Sequence, residues 1–205
     1  INIGAAFLVA QSGVQYSNPK TEPSVANLPA GRISIIWIAY GSGVTAGPMA
    51  ICHAAGIAST AGFSGWIAAA TIAGCNLAGS LLCGWLSDKV SHRSILTSLP
   101  LLGAAALLAL SVLPAQTLTF LGIIGFAYGG TIATYPAAIA NLFPGEDGPR
   151  AYGRIFTAWG TAGLMAPWLA GQIYDWYGTY TTALWVAAVL GILSAVTSQK
   201  AIQKN

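Results

Sequence analysis

Charge is what this chain lacks most: of 205 residues only 6% are Asp, Glu, Lys or Arg, against about a quarter in ordinary soluble domains. With 55% hydrophobic residues and a mean hydropathy of +0.67, a water-soluble globular domain is excluded. Acidic groups are scarcest of all. Glu22, Asp88, Glu146, Asp147 and Asp175 all fall in loops or at the ends of apolar segments. No apolar segment carries paired carboxylates, a histidine cluster or a Ser/Lys pair at helical spacing, so intramembrane hydrolase and metalloprotease chemistry is excluded. The chain is not expected to be an enzyme, to need a cofactor or to bind a metal. Cys52, Cys75 and Cys83 are odd in number and lack C-x-x-C spacing, which argues against a disulfide framework or a zinc site. Inside apolar runs they read as small buried residues. The net charge of +3 comes from basic residues at segment ends and not from one soluble face, so no nucleic-acid partner is expected. Ile1 to Ala10 is apolar without a basic flank or an initiating Met, which does not fit a signal peptide and makes the chain read as a fragment.

The basic residues that are present fall in four clusters: Lys20 with Arg32, Lys89 with Arg93, Arg150 with Arg154, and Lys200 with Lys204. Roughly 45 to 55 residues separate successive clusters, about twice the ~20 residues that an apolar helix needs to cross a bilayer. Each interval therefore reads as a hairpin of two membrane helices, with every cluster on one face. Positive charge concentrates in cytoplasmic loops, which puts that face in the cytoplasm and the chain in the plasma (inner) membrane. The fold class is an all-α membrane protein with six transmembrane helices. Residues 1–10 read as the tail of a preceding membrane helix, too short to span alone, and 11–32, with three prolines and both signs of charge, as a cytoplasmic connector. A six-helix bundle over 33–199 and a cytoplasmic tail over 200–205 complete the chain.

Spans are expected from Ile33 to Ala58, from a short turn near Ala61 to Gly65 on to Leu86, from Ile95 to Leu113, onward to Phe143, from Ile155 to Tyr174, and finally to Ser198. The segments "PAQT" and "DWYGTY" read as outer turns, and "PGEDGPRAYGR" as an inner loop. Trp176, Tyr177 and Tyr180 suit an interfacial belt. Gly and Ala crowd the second and fourth spans, including Gly125 with Gly129, as expected where helix backbones approach closely and pack centrally. Pro48, Pro136 and Pro167 sit inside spans, where each removes a backbone hydrogen bond and bends its helix.

Between the second and third spans stands "GWLSDKVSHR", from Gly84 to Arg93. It resembles the loop signature of the major facilitator superfamily, roughly G-x-L-[AS]-D-[RK]-x-G-R-[RK], and departs from it at Ser91 and His92. Gly84 would permit close helix contact, Asp88 would accept bonds from a neighbouring helix N-terminus, and Lys89 and Arg93 would anchor the inner end, together forming a conformational-switch loop. From the loop near Asn27 to the outer turn at Tyr180 the chain, with "NLFP" and the segment that follows it, is similar to the oxalate/formate antiporter and monocarboxylate transporter group. A Tyr-Gly pair, Tyr152 and Gly153, opens the penultimate helix there, and Gly171, Tyr174, Asp175, Gly178 and Tyr180 form its closing turn. The resemblance implies twelve helices in two halves, with this chain as the C-terminal six and a missing N-terminal half as its partner. It also implies alternating-access transport of a small organic solute, with the first, second, fourth and fifth spans lining the cavity.

Relatives in that group often show N-x-x-x-R in the eighth helix, and oxalate carriers a Lys in the eleventh; the matching positions here are Asn76, Ser80 and Trp159. No Lys or Arg lies at mid-membrane, so a dianion such as oxalate is disfavoured unless the missing half brings the charge. A monocarboxylate or a neutral solute stays open. Asn76 and Ser80 lie one turn apart and form a polar stripe, serving either a solute or another helix. Tyr128 and Tyr135 can donate hydroxyls to substrate or pack as apolar rings, and Trp159 walls the cavity or packs at the inner interface. His53 is the proton-coupling candidate, with a solvated or packing histidine as the alternative. A channel or a static assembly subunit are the non-transporter readings, against which the loop motif argues.

Overall fold

The computed structural model describes residues 29–202, and these form helices joined by short turns. Helix α1 (Ala30–Ile51) is followed after a two-residue break by the short α2 (Ala54–Thr60); α3 covers Gly65–Ser87, α4 His92–Val112, α5 Thr117–Leu142, α6 Asp147–Tyr177 and α7 Thr181–Ala201. A 3-10 turn, Pro114–Gln116, links α4 to α5 where an outer turn is expected. An all-helical answer is what hydrocarbon demands, because only a helix satisfies its backbone within one segment. The tail over 1–10 and most of the connector over 11–32 lie outside the described residues.

Three boundaries differ from the sequence reading. The first span is two helices: Pro48 lies inside α1, Cys52 caps it with its N–H on the Pro48 carbonyl, and His53 leaves helical geometry at φ −104, ψ 9. The supposed inner loop over 144–154 is mostly helix. Asp147 opens α6, where a carboxylate complements the helix dipole, and Pro149 falls in the first turn, where its missing N–H costs nothing. Helix α6 runs 31 residues to Tyr177 and stops at Gly178, whose φ of +67 is the left-handed conformation that glycine adopts freely. At the chain ends, Ala30 to Arg32 belong to α1 and Lys200 to α7, not to flanking connectors.

Among the described residues, five helices are long and apolar enough to cross a membrane: α1, α3, α4, α7, and α5 together with its preceding 3-10 turn. The sixth expected span, α6, is long enough at about 46 Å but less apolar, because Thr157, Thr161, Trp159, Trp168, Pro167 and three glycines dilute its middle.

The helices pack through shared interfaces, most having more than one partner. Helix α3 lies along α5, α4 along both α5 and α7, and α1 along α7, α6 and, less extensively, α5; α3 and α6 share no substantial interface. Thus α1 and α5 form the middle, α4 and α7 close one side, and α3 and α6 flank the other. The α3–α5 seam depends on absent side chains. A Cβ on Gly125 would stand 2.8 Å from the Ile72 carbonyl oxygen, and one on Gly129 would stand 2.9 Å from Ser80 Oγ. Close backbone approach of this kind is what the Gly/Ala enrichment foreshadows. However, only α5 is central; α3 is largely exposed. On the opposite seam, Ser194 Oγ donates to the Ala39 carbonyl at 2.7 Å, tying α7 to α1.

Gly125→Val sets a branched side chain against backbone that cannot rotate away, and should destabilise the bundle by about 1–3 kcal/mol or more. Gly84→Ala, with nothing within 4 Å of its Cβ position, should be neutral. Thermal melts of the detergent-solubilised protein check both; equal melting temperatures would contradict the seam.

Candidate functional site

Between the α1–α2 break and α3, an open cavity of about 340 Å³ is lined by Ile51, Cys52, Ala54 and Ala55 from the break, by Gly65, Ala69, Ile72, Ala73 and Asn76 of α3, and by Tyr128 of α5. It runs along α3 from the start of the helix to its middle. Tyr128 and Asn76 stand at its deep end, toward the basic residues of the chain. The lining is neutral, with Asn76, Tyr128 and Cys52 as its polar side chains.

Tyr128 is held from two sides. Its ring packs on α1 at Gly47, where an added Cβ would stand 2.8 Å from Cδ2. Its hydroxyl accepts a hydrogen bond from Trp159 Nε1 at 3.1 Å, bridging α5 to α6. Trp159 in turn stacks on Phe156, with centroids 5.2 Å apart and planes 10° from parallel, and Phe156 meets Tyr152 at 5.2 Å. The spacing of four and then three residues puts these rings on one face of α6. Because the Trp159 N–H occupies one acceptor position of the phenol, the Tyr128 O–H proton remains available to donate. Asn76 offers both a donor and acceptors beside it.

The sequence candidates therefore divide. Asn76 and Tyr128 share one cavity, and Trp159 joins them through its hydrogen bond. Ser80 lies at the α3–α5 seam against Gly129, so it packs between helices and is absent from the cavity wall. Tyr135 is 1% exposed; its ring lies 4.2 Å from that of Tyr40, and its hydroxyl pairs with Ser198 Oγ of α7 at 3.4 Å. It faces the bundle interior.

His53 occupies the break between α1 and α2. Its Nε2 lies 3.0 Å from the Pro167 carbonyl oxygen, and since a carbonyl only accepts, Nε2 carries the proton. The bond joins two interrupted helices, α1 at its end and α6 at its proline. Tyr180 stacks nearby, 5.5 Å from His53 and 4.4 Å from Tyr174. Burial, followed by the neighbouring Tyr174 and Asp175, pushes the Tyr180 phenol above its ordinary value, so it stays a neutral hydroxyl.

In the loop motif, Asp88 caps the end of α3, while Lys89 Nζ lies 3.8 Å over the Trp85 ring, a cation–π contact. Arg93 and His92 border a separate open cleft of about 340 Å³ with Asn141. Gly84 meets nothing within 4 Å, so the close helix contact expected of it is not made among the described residues.

Two participants escape the sequence reading. Tyr40, on α1, is 0% exposed and its hydroxyl has no hydrogen-bond partner among the described residues; such an orphan costs about 1–3 kcal/mol. A tyrosine in mid-span was the available signal. Trp37, also on α1, donates to Thr157 Oγ1 of α6 at 2.9 Å.

Helices of this length and composition, with an uncharged and mostly apolar cleft among them, define an integral, multi-pass membrane protein. The sequence matches the Major Facilitator Superfamily over residues 33–201, most of its length, and the chain belongs to that family. It is also 28% identical over 92 residues to a protein of Escherichia coli (strain K12) described as "Uncharacterized MFS-type transporter YhjX". That alignment takes in 43% of this chain and 23% of the relative's length.

His53→Leu should lower the melting temperature by the equivalent of about 1 kcal/mol, the worth of one hydrogen bond, whereas His53→Gln, which can still donate, should keep most of it. Identical melts for the two variants would show that the His53 to Pro167 bond does not hold the broken helices together.

Proposed function

We propose that this chain is the C-terminal half of a secondary transporter of the oxalate/formate antiporter and monocarboxylate transporter group, moving a small organic solute, a monocarboxylate foremost, by alternating access. The carrying observation is the Trp159 to Tyr128 hydrogen bond at the deep end of the cavity that Asn76 lines. It leaves a phenol proton and an amide directed at a neutral space, a set that suits a carboxylate's acceptor oxygens. In this reading α1, α3, α5 and α6 line the route, α4 and α7 support them, and the basic end lies in the cytoplasm, at the plasma membrane.

The missing half is supported by open space on the flanking helices. Gly74 and Gly84 on α3, and Gly153, Gly160 and Gly163 on α6, have no neighbour within 4 Å of a Cβ position. Small residues left facing outward suit close contact with further helices. The loop from Gly84 through Asp88, Lys89 and Arg93 then acts at that junction as the state-dependent switch. A neutral solute is the second reading, favoured by the lack of Lys, Arg or His in the cavity lining. Under the first reading the charge of the carboxylate is met by hydrogen-bond donors or by the other half.

The test is uptake by the full-length protein in proteoliposomes, comparing radiolabelled lactate and pyruvate with radiolabelled glycerol. Asn76→Ala and Tyr128→Phe should each cut carboxylate uptake about tenfold or more at equal protein incorporation, the effect of losing one hydrogen bond to a charged group. Glycerol uptake with inert carboxylates would select the neutral reading, and unaltered transport in both variants would remove the site. In the same vesicles His53→Gln should flatten the pH dependence of uptake; an unchanged profile assigns the proton elsewhere.

A further inference from the structure

We infer that the Tyr40 hydroxyl lines the solute's route in a second conformation of the bundle, donating to the solute's polar head between the cavity and the basic end. The inference rests on the alternating-access reading above. It starts from an imbalance. Hydroxyls inside the spans are satisfied locally: Ser42 and Thr45 on α1, and Thr131 and Thr134 on α5, donate to carbonyls one turn back in their own helices. A phenol is too long for that arrangement, so the Tyr40 hydroxyl needs a partner from elsewhere. It has none among the described residues, although the side chain is fully buried within an apolar cluster that includes Ile36, Val44, Ile155 and Ala158. The other unpartnered buried oxygen among the described residues, Thr97 Oγ1, belongs to a half-buried residue of α4, away from this face.

Position supplies the use. Tyr128 forms the deep end of the cavity, and it and Tyr152 pack against the buried cluster that holds Tyr40 and Tyr135, whose rings lie 4.2 Å apart. Tyr135 is already engaged with Ser198. Tyr152 lies on α6 two turns from Trp159, toward the basic end. Tyr128, Tyr40 and Tyr152 thus descend from the cavity toward the basic end on three different helices, α5, α1 and α6. Two polar ties hold α6 here, Trp159 to Tyr128 of α5, backed by the Phe156 stack, and Trp37 of α1 to Thr157. Releasing them and sliding α6 on α1 opens this row. The α1–α6 contact beside it is thin in side chains: a Cβ on Gly41 would stand 3.4 Å from the Ala158 Cβ. The orphan hydroxyl is then a group whose partner arrives with the solute.

The experiment uses the full-length protein. Tyr40→Phe keeps the ring and removes only an unpartnered oxygen, so its melting temperature should equal or exceed that of the parent protein. In proteoliposomes the same variant should raise the KM for lactate uptake about tenfold, whereas Tyr135→Phe should leave it unchanged. In a background free of other cysteines, Tyr40→Cys should be modified by a charged, membrane-impermeant methanethiosulfonate ammonium reagent supplied at the basic face, although position 40 is sealed in this conformation. A lower melting temperature for Tyr40→Phe, an unchanged KM, or an inert Tyr40→Cys would each overturn the inference. If the parent protein carries no lactate, the solute assignment falls, and the melting and modification results still decide the place of Tyr40.

Discussion

A polar atom inside hydrocarbon has no water to turn to, and nearly every arrangement in this bundle answers that constraint. Backbone groups close within helices. Most Ser and Thr hydroxyls in the spans fold back onto carbonyls of their own helix, as Thr131 and Thr134 do, while Ser194 reaches across to Ala39. Where helices break or bend, side chains tie one element to another: His53, in the break after α1, donates to the carbonyl of Pro167 in α6. Polar groups too large for local satisfaction reach between helices, as Trp37 does to Thr157 and Trp159 to Tyr128.

The same solvent removes the usual reason for helices to associate, since lipid tails are as apolar as the helix surface. What remains is contact, and contact improves as backbones approach. Gly125 and Gly129 bring α5 against the backbone of α3, and the Ser194 bond to Ala39 adds a directional tie between α7 and α1. This explains why α3 can be half of a tight seam while most of its surface stays exposed. Its contact is a stripe, not a buried face.

Much of this was legible in the sequence because charge and turns are punctuated there. The basic clusters bracket helix pairs, and the turns at Gly62 and Pro114 fall where composition places them. The break after Ile51 was less legible: Pro48 marks a weakened helix, but the chain continues a further turn before leaving helical geometry at His53. The early start of α6 was misread because Gly145 and Pro149 both suggest a loop, although a proline in the first helical turn loses no hydrogen bond. Site residues were harder still. Spacing puts Asn76 and Ser80 on one face of α3, and Gly129 of α5 packs against both, against the Asn76 backbone and the Ser80 hydroxyl, yet only Asn76 also lines the cavity, which ends before Ser80. Tyr128 and Tyr135, two turns apart on α5, separate for the same reason. Periodicity gives a face; where the cavity ends decides which part of it stays open.

The scarcity of charge acquires a sharper meaning once the cavity is located. With the described basic residues gathered near helix ends, the cavity keeps only neutral donors, and their directions matter more than their number. A phenol alone could accept or donate toward a solute. Trp159 resolves this choice, because its N–H fills one acceptor position of Tyr128 and biases the phenol proton toward the open side. An indole suits this role because it donates, cannot accept, and is kept in place by stacking on Phe156. A lysine at that position would offer charge to a solute directly. Tryptophan offers polarity at one remove, through the hydroxyl it orients.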